Sequence, residues 1–108
     1  MDKVRDCMED LVKAIRESEV YQNFKAAEER VVRVPGLEER IREFCWKNYE
    51  LQTSDVEDLY ERVEAFEDEY REFQRNPVVA EYLESELRMC RMLQEINARI
   101  TNVVELMI

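Results

Sequence analysis

Six side chains, Val56, Leu59, Val63, Phe66, Tyr70 and Phe73, recur at alternating intervals of three and four residues without a miss. An α-helix turns once in 3.6 residues, so this spacing places all six on one face. A strand would alternate faces every residue and scatter them. The pattern recurs along the chain. Val4, Cys7, Met8, Leu11 and Ile15 share one stripe, and Val20, Phe24, Ala27, Val31 and Val34 share a second. Leu37, Ile41, Phe44, Asn48 and Leu51 form a third, with one polar member. Met89, Leu93, Ile96, Ile100, Val103 and Met107 form the last. Its N-terminal half is less clean: Glu86 interrupts it, and Leu83, Leu87 and Cys90 make a neighbouring stripe.

The scarcity of turn residues points the same way. The 108 residues hold one glycine, Gly36, and two prolines, Pro35 and Pro77. A β-protein of this size needs far more such punctuation. Breaks fall at Ser18, at Val34-Pro35-Gly36, at Thr53-Ser54-Asp55 and at Asn76-Pro77. Pro35 excludes Val34 from the helical region, and Asn76 caps a helix that opens on proline. Ser54 and Glu57 have the spacing of a capping box. The expected fold class is all-α: one domain over 1–108, with helices at about 2–17, 19–33, 37–52, 55–75 and 77–106. They are expected to form an elongated antiparallel bundle with a long C-terminal helix.

That last segment limits what one copy can do. A helix of about 30 residues is about 45 Å long, whereas a compact domain of this size has a radius of gyration near 13 Å. Its apolar stripe needs more cover than one short chain supplies. A homo-oligomer, most simply a two-fold dimer, is the expected assembly. Leu93, Ile96, Ile100, Val103 and Met107 are its candidate interface.

Charge narrows the class of partner. The net charge is −10, and residues 55–75 alone hold nine acids against three bases. Direct nucleic-acid binding and attachment to an anionic membrane are disfavoured, since both need clustered lysine and arginine. No window is apolar for long enough to span a bilayer. The N-terminus lacks the apolar core of a signal peptide. Cys7, Cys45 and Cys90 are odd in number and far apart, which fits a reducing cytoplasm rather than a disulfide scaffold. At or beside apolar stripes, they read as small hydrophobes.

Enzymatic chemistry finds few supports. There is no histidine, hence no Ser–His or Cys–His pair, and a single glycine excludes phosphate-cradling loops. Glu61, Glu64, Glu67 and Asp68, with Glu81 and Glu84 on the next helix, have the E-x-x-E spacing with which some helical nucleotide pyrophosphohydrolases hold magnesium. Here the acids flank an apolar stripe and read as a solvated face, with a metal site the lesser alternative. No catalytic residue, cofactor or metal is expected. Glu61, Glu64 and Asp68 are instead candidates for contact with a protein of basic surface. Trp46 stands off the Phe44 stripe, either packing on a neighbouring helix or anchoring a partner.

Specific strings then carry a resemblance. Ala14-Ile15-Arg16-Glu17-Ser18-Glu19-Val20-Tyr21, Phe24-Lys25-Ala26-Ala27-Glu28, Asn76-Pro77-Val78-Val79-Ala80-Glu81-Tyr82-Leu83 and Leu93-Gln94-Glu95-Ile96-Asn97 follow in order. The chain resembles the YlbF/YmcA group of small bacterial proteins, and its shorter YheA-like members in length. The resemblance implies an all-helical, oligomer-forming regulatory protein without enzymatic activity. It also implies a kinship with accessory factors of competence, sporulation, biofilm formation and mRNA processing by a membrane-bound ribonuclease. Some members carry cysteines in a C-terminal extension implicated in iron–sulfur binding. This chain lacks those cysteines, so a redox-sensing cluster is an alternative that the resemblance raises without supplying its ligands.

Overall fold

A computed structural model of the chain describes residues 2–55 and 57–104. Five helices follow one another: α1 (Asp2–Glu17), α2 (Glu19–Val32), α3 (Leu37–Thr53), α4 (Leu59–Arg75) and α5 (Pro77–Val104). Among the described residues there is no strand. The chain divides into two compact units. One comprises Met1–Ala27 with Tyr82–Ile108, and the other Glu28–Glu81.

The first unit opens with α1. Ser18 both ends this helix and starts the next. Its hydroxyl donates to the Ile15 carbonyl at 2.6 Å and accepts from the Tyr21 amide at 3.2 Å. One side chain thus satisfies an orphan group at each helix terminus. The Gln22 amide reaches back to the Arg16 carbonyl at 2.6 Å. Beyond the break, Phe24 of α2 meets Tyr82 of α5, with ring centroids 5.7 Å apart. Ala27 and Ser85 are buried here, and Ser85 keeps its hydroxyl satisfied on the Tyr82 carbonyl at 2.9 Å.

The second unit is built on the α3–α4 hairpin. Gly36, at φ 76°, provides the left-handed residue that precedes α3, a conformation that costs other residues 1–2 kcal/mol or so. Val31, Leu37, Ile41, Phe44, Tyr70, Phe73 and Val79 form the core. All but Val79 belong to the apolar stripes of α2, α3 and α4, and α3 packs directly on α4. Val79 completes it from the first turn of α5 with no exposed surface. Arg30 of α2 pairs with Glu81 of α5 at the edge of this core.

The start of α4 departs from the sequence expectation. Ser54 does not begin it; Ser54 ends α3, in an extended conformation, with its amide on the Leu51 carbonyl. Thr53 prolongs α3 by turning its hydroxyl onto the Tyr49 carbonyl at 2.9 Å. The N-cap of α4 is Asp58, whose side chain pairs with Arg62 at 3.4 Å and makes no cap hydrogen bond. Val56 of the fourth stripe lies outside the described residues, as do Met107 and the expected end of the last helix at 106.

Candidate interaction surfaces

Two surfaces stand out, one in each unit. In the first unit α1 has no buried residue. Val4, Met8, Leu11 and Val12 are all exposed, although they occupy the apolar side of a helix whose other side carries nine charged residues. The distal part of α5 is alike. Of the expected interface residues, Ile96 is half-buried and Leu93 exposed, while Ile100 and Val103 expose 55% and 82% of their surface. Met107 lies outside the described residues. Scattered exposed apolar residues are ordinary, but contiguous stripes mark contact surfaces. Cys7 and Cys90 are exposed along these same helices, and Cys45 is half-buried. The first two are not buried within a single copy because the stripes they flank face outward from it.

In the second unit α3 and α4 diverge on one side into a groove of about 760 Å³. Phe44 and Leu51 of α3 and Leu59, Val63 and Phe66 of α4 give it an apolar floor. Asn48, Gln52, Glu67 and Arg71 stand along its rim. Asn48, the polar member of the third stripe, therefore faces a wet groove and not the core. The opposite side of the hairpin holds a smaller hollow of about 360 Å³, crossed by an ion pair. Lys47 reaches Glu43 at 3.1 Å and Glu69 of α4 at 3.5 Å, and lies 5.5 Å from the centre of the Tyr70 ring. The Tyr70 phenol and then the Glu43 carboxylate hold the Lys47 ammonium above the usual lysine range.

Trp46 is 60% exposed and stacks on Tyr49 of its own helix, with centroids 5.8 Å apart and planes 27° from parallel. Glu61, Glu64 and Asp68 lie three and four residues apart on α4, hence on one face, and all are exposed. Asp68 pairs with Arg71. Glu61 and Glu64 have no ion pair among the described residues. No group of three potential metal ligands gathers among the described residues. Glu81 and Glu84 of the E-x-x-E pattern pair instead with Arg30 and Arg88. Sequence reasoning passed over Tyr49 and Tyr60, the latter 83% exposed. The signal for Tyr49 was its position one turn beyond Trp46.

None of the described helices is long and apolar enough to cross a membrane. No solved structure matches the chain. A UPF0342 protein of Caldicellulosiruptor saccharolyticus is 29% identical over 98% of this chain and 91% of its own length. A UPF0342 protein of Desulfitobacterium hafniense is 28% identical, over 94% of this chain and 84% of its own length. The family described as control of competence regulator ComK, YlbF/YmcA, matches residues 4–105. With its helical core and the match running over nearly its whole length, the chain belongs to the YlbF/YmcA family.

Proposed function

We propose that this protein is a non-enzymatic regulatory adaptor of the cytoplasm that works as a homo-oligomer, most simply a two-fold dimer. The observation that carries this reading is α1, a helix with a continuous apolar side and no buried residue. Such a side in water is unfavourable by about 25 cal/mol for each Å² left uncovered. The outward Leu93, Ile100 and Val103 of α5 add to the same unit's uncovered surface. A second copy presents identical stripes, and two-fold pairing covers both sets at once. The family's link to control of a competence regulator supports a role exerted through protein contacts. The absence of histidine from the chain leaves it without a Ser–His or Cys–His nucleophile pair.

The test is the double variant Met8→Lys, Leu11→Lys. Charges placed on the α1 stripe are expected to reduce the light-scattering mass to that of one chain while circular dichroism stays helical. An unchanged oligomer mass in that variant would remove α1 from the interface.

A further inference from the structure

Each copy of the chain exposes an apolar helix side, on α1, and an apolar groove, between α3 and α4. The two match in length. α1 has 16 residues, about 24 Å at 1.5 Å per residue. The α4 lining of the groove runs from Leu59 to Arg75, again about 24 Å. The hollow on the other side of the hairpin has less than half the volume, 360 against 760 Å³, and Lys47 and Glu69 cross it. A helix laid apolar side down in a groove is a recurrent mode of recognition.

Charge sets the direction of such a helix. Along the groove wall of α4, acids come first and bases last. Glu67, Arg71 and Arg75 line the groove, and Glu64 precedes them on the same face. Asp68, at the outer edge of this wall, pairs with Arg71. One flank of the α1 stripe has the reverse order. Lys3, Asp10 and Glu17 are seven residues apart, two turns each, and so lie in a row. Glu17 touches Lys13 at 4.0 Å. Lys3 and Asp10 on α1, like Glu64, Glu67 and Arg75 on α4, have no ion pair among the described residues. Laid beside α4 and running the same way, α1 brings Lys3 toward Glu64 and Glu67, and Asp10 and Glu17 toward Arg71 and Arg75.

Handedness permits this match. Viewed from its N-terminus, a right-handed helix turns clockwise by about 100° per residue. From Val63 on the floor to Arg71 on the rim, α4 turns clockwise. From the apolar stripe to the row of Lys3, Asp10 and Glu17, α1 turns anticlockwise. Opposite senses face each other when two helices run in the same direction. The other flank of α1, with Arg5, Glu9 and Arg16, then meets the α3 wall, whose lining residues carry no charge. The reverse direction would set Arg5 beside Arg75.

We propose that α1 of one copy seats in the α3–α4 groove of a second, parallel to α4, with its apolar stripe on Leu51, Leu59 and Val63 and with Asp10 against Arg71 across the contact. The exchange is reciprocal, so a pair contains two such seats, as two-fold symmetry requires. The proposal rests on the homo-oligomer reading and names the surface that covers α1.

The test is the light-scattering mass of full-length variants, with circular dichroism as the check on folding. Val63→Arg, on the groove floor, should lower the mass to one copy, as Met8→Lys with Leu11→Lys should on α1. Mixed at high concentration, these two variants should regain a species of two copies, because one retains the groove and the other retains α1. Asp10→Arg and Arg71→Glu should each weaken association about tenfold, and the two together in one chain should restore most of it. A mixture that stays at one copy, or a charge exchange that restores nothing, would overturn the seat. If Val63→Arg keeps the wild-type mass while the α1 variant loses it, α1 meets a like stripe; the seat is then wrong and the oligomer stands. A wild-type mass of one copy would remove both.

Discussion

Phe44 of α3 meets Tyr70 of α4 edge to face, with ring centroids 5.1 Å apart and planes at 63°. Around this contact Phe66 and Phe73 approach Phe44 at 5.4 and 5.7 Å, and Arg40 lies over the Phe73 ring at 4.8 Å. Phe44 is thus the centre of the hairpin. Phe44→Ala should lower stability by about 3–5 kcal/mol, the sum of lost transfer energy and a cavity the rings only partly fill. Urea unfolding followed by circular dichroism measures it. A loss under 1 kcal/mol or so would mean that the aromatic cluster is not the core of this unit.

Gly36 precedes α3 at φ 76°, and a β-carbon added there would meet nothing within 4 Å. The cost of Gly36→Ala is therefore conformational and not steric. It should destabilise by about 1–2 kcal/mol, and Gly36→Asn by less, since asparagine tolerates this region. Thermal melts of the two variants give the order directly.

Asn76 caps α5 by accepting the Val78 amide at 3.0 Å on its side-chain oxygen. Asn76→Ala leaves that donor to water and should cost about 1 kcal/mol. Asn76→Asp should retain most of the stability, because a carboxylate also favours a helix N-terminus.

How far these features were legible from the residues alone varies with what periodicity encodes. The spacing of Ile41, Phe44, Tyr70 and Phe73 named the faces that the hairpin buries, because only one face of each helix is apolar. It did not name Val79 or Ser85. The start of α5 carries two neighbouring stripes, and spacing cannot choose between them. The beginning of α4 was misplaced because Ser54 and Glu57 imitate a capping box, while Thr53 carries α3 one residue further and α4 starts only at Leu59. Periodicity marks a face that needs cover and is silent on what covers it. That is why the stripe of α1 was readable while its exposure was not; for α5 the length of the helix already told that its stripe needs cover from outside one copy. The groove was hidden for a related reason: Val63 and Leu59 sit on a stripe as regular as the core's, yet lie where the two helices part.

Lys47 offers a pH signature. Its ammonium is held above the ordinary lysine range by the Tyr70 phenol and by Glu43, with Glu69 adding to the effect. A raised folded-state value means that its contribution to stability is complete below the ordinary range, near pH 10.4 or so, and fades as pH climbs through the folded value. The melting-temperature gap between wild type and Lys47→Met should stay constant from about pH 7 to about pH 9 and shrink only above the ordinary range. A gap that changes in the neutral range would assign the effect to another group.

Ile100 exposes more than half of its surface on α5. In a single chain Ile100→Glu would be a surface change of little consequence. Across a two-fold contact it would bury unpaired charge, which costs several kcal/mol. The dimer constant should weaken by two orders of magnitude or so, with the helical content intact. Retention of wild-type affinity would place Ile100 outside the contact.

The most direct test of the whole account is sedimentation equilibrium of the wild-type chain across a wide concentration range. With 13.1 kDa for one copy, the account predicts a mass of at least twice that value, falling toward one copy only on dilution. A mass of one copy at every concentration, with the α1 amides exchanging as those of a buried helix do, would contradict it.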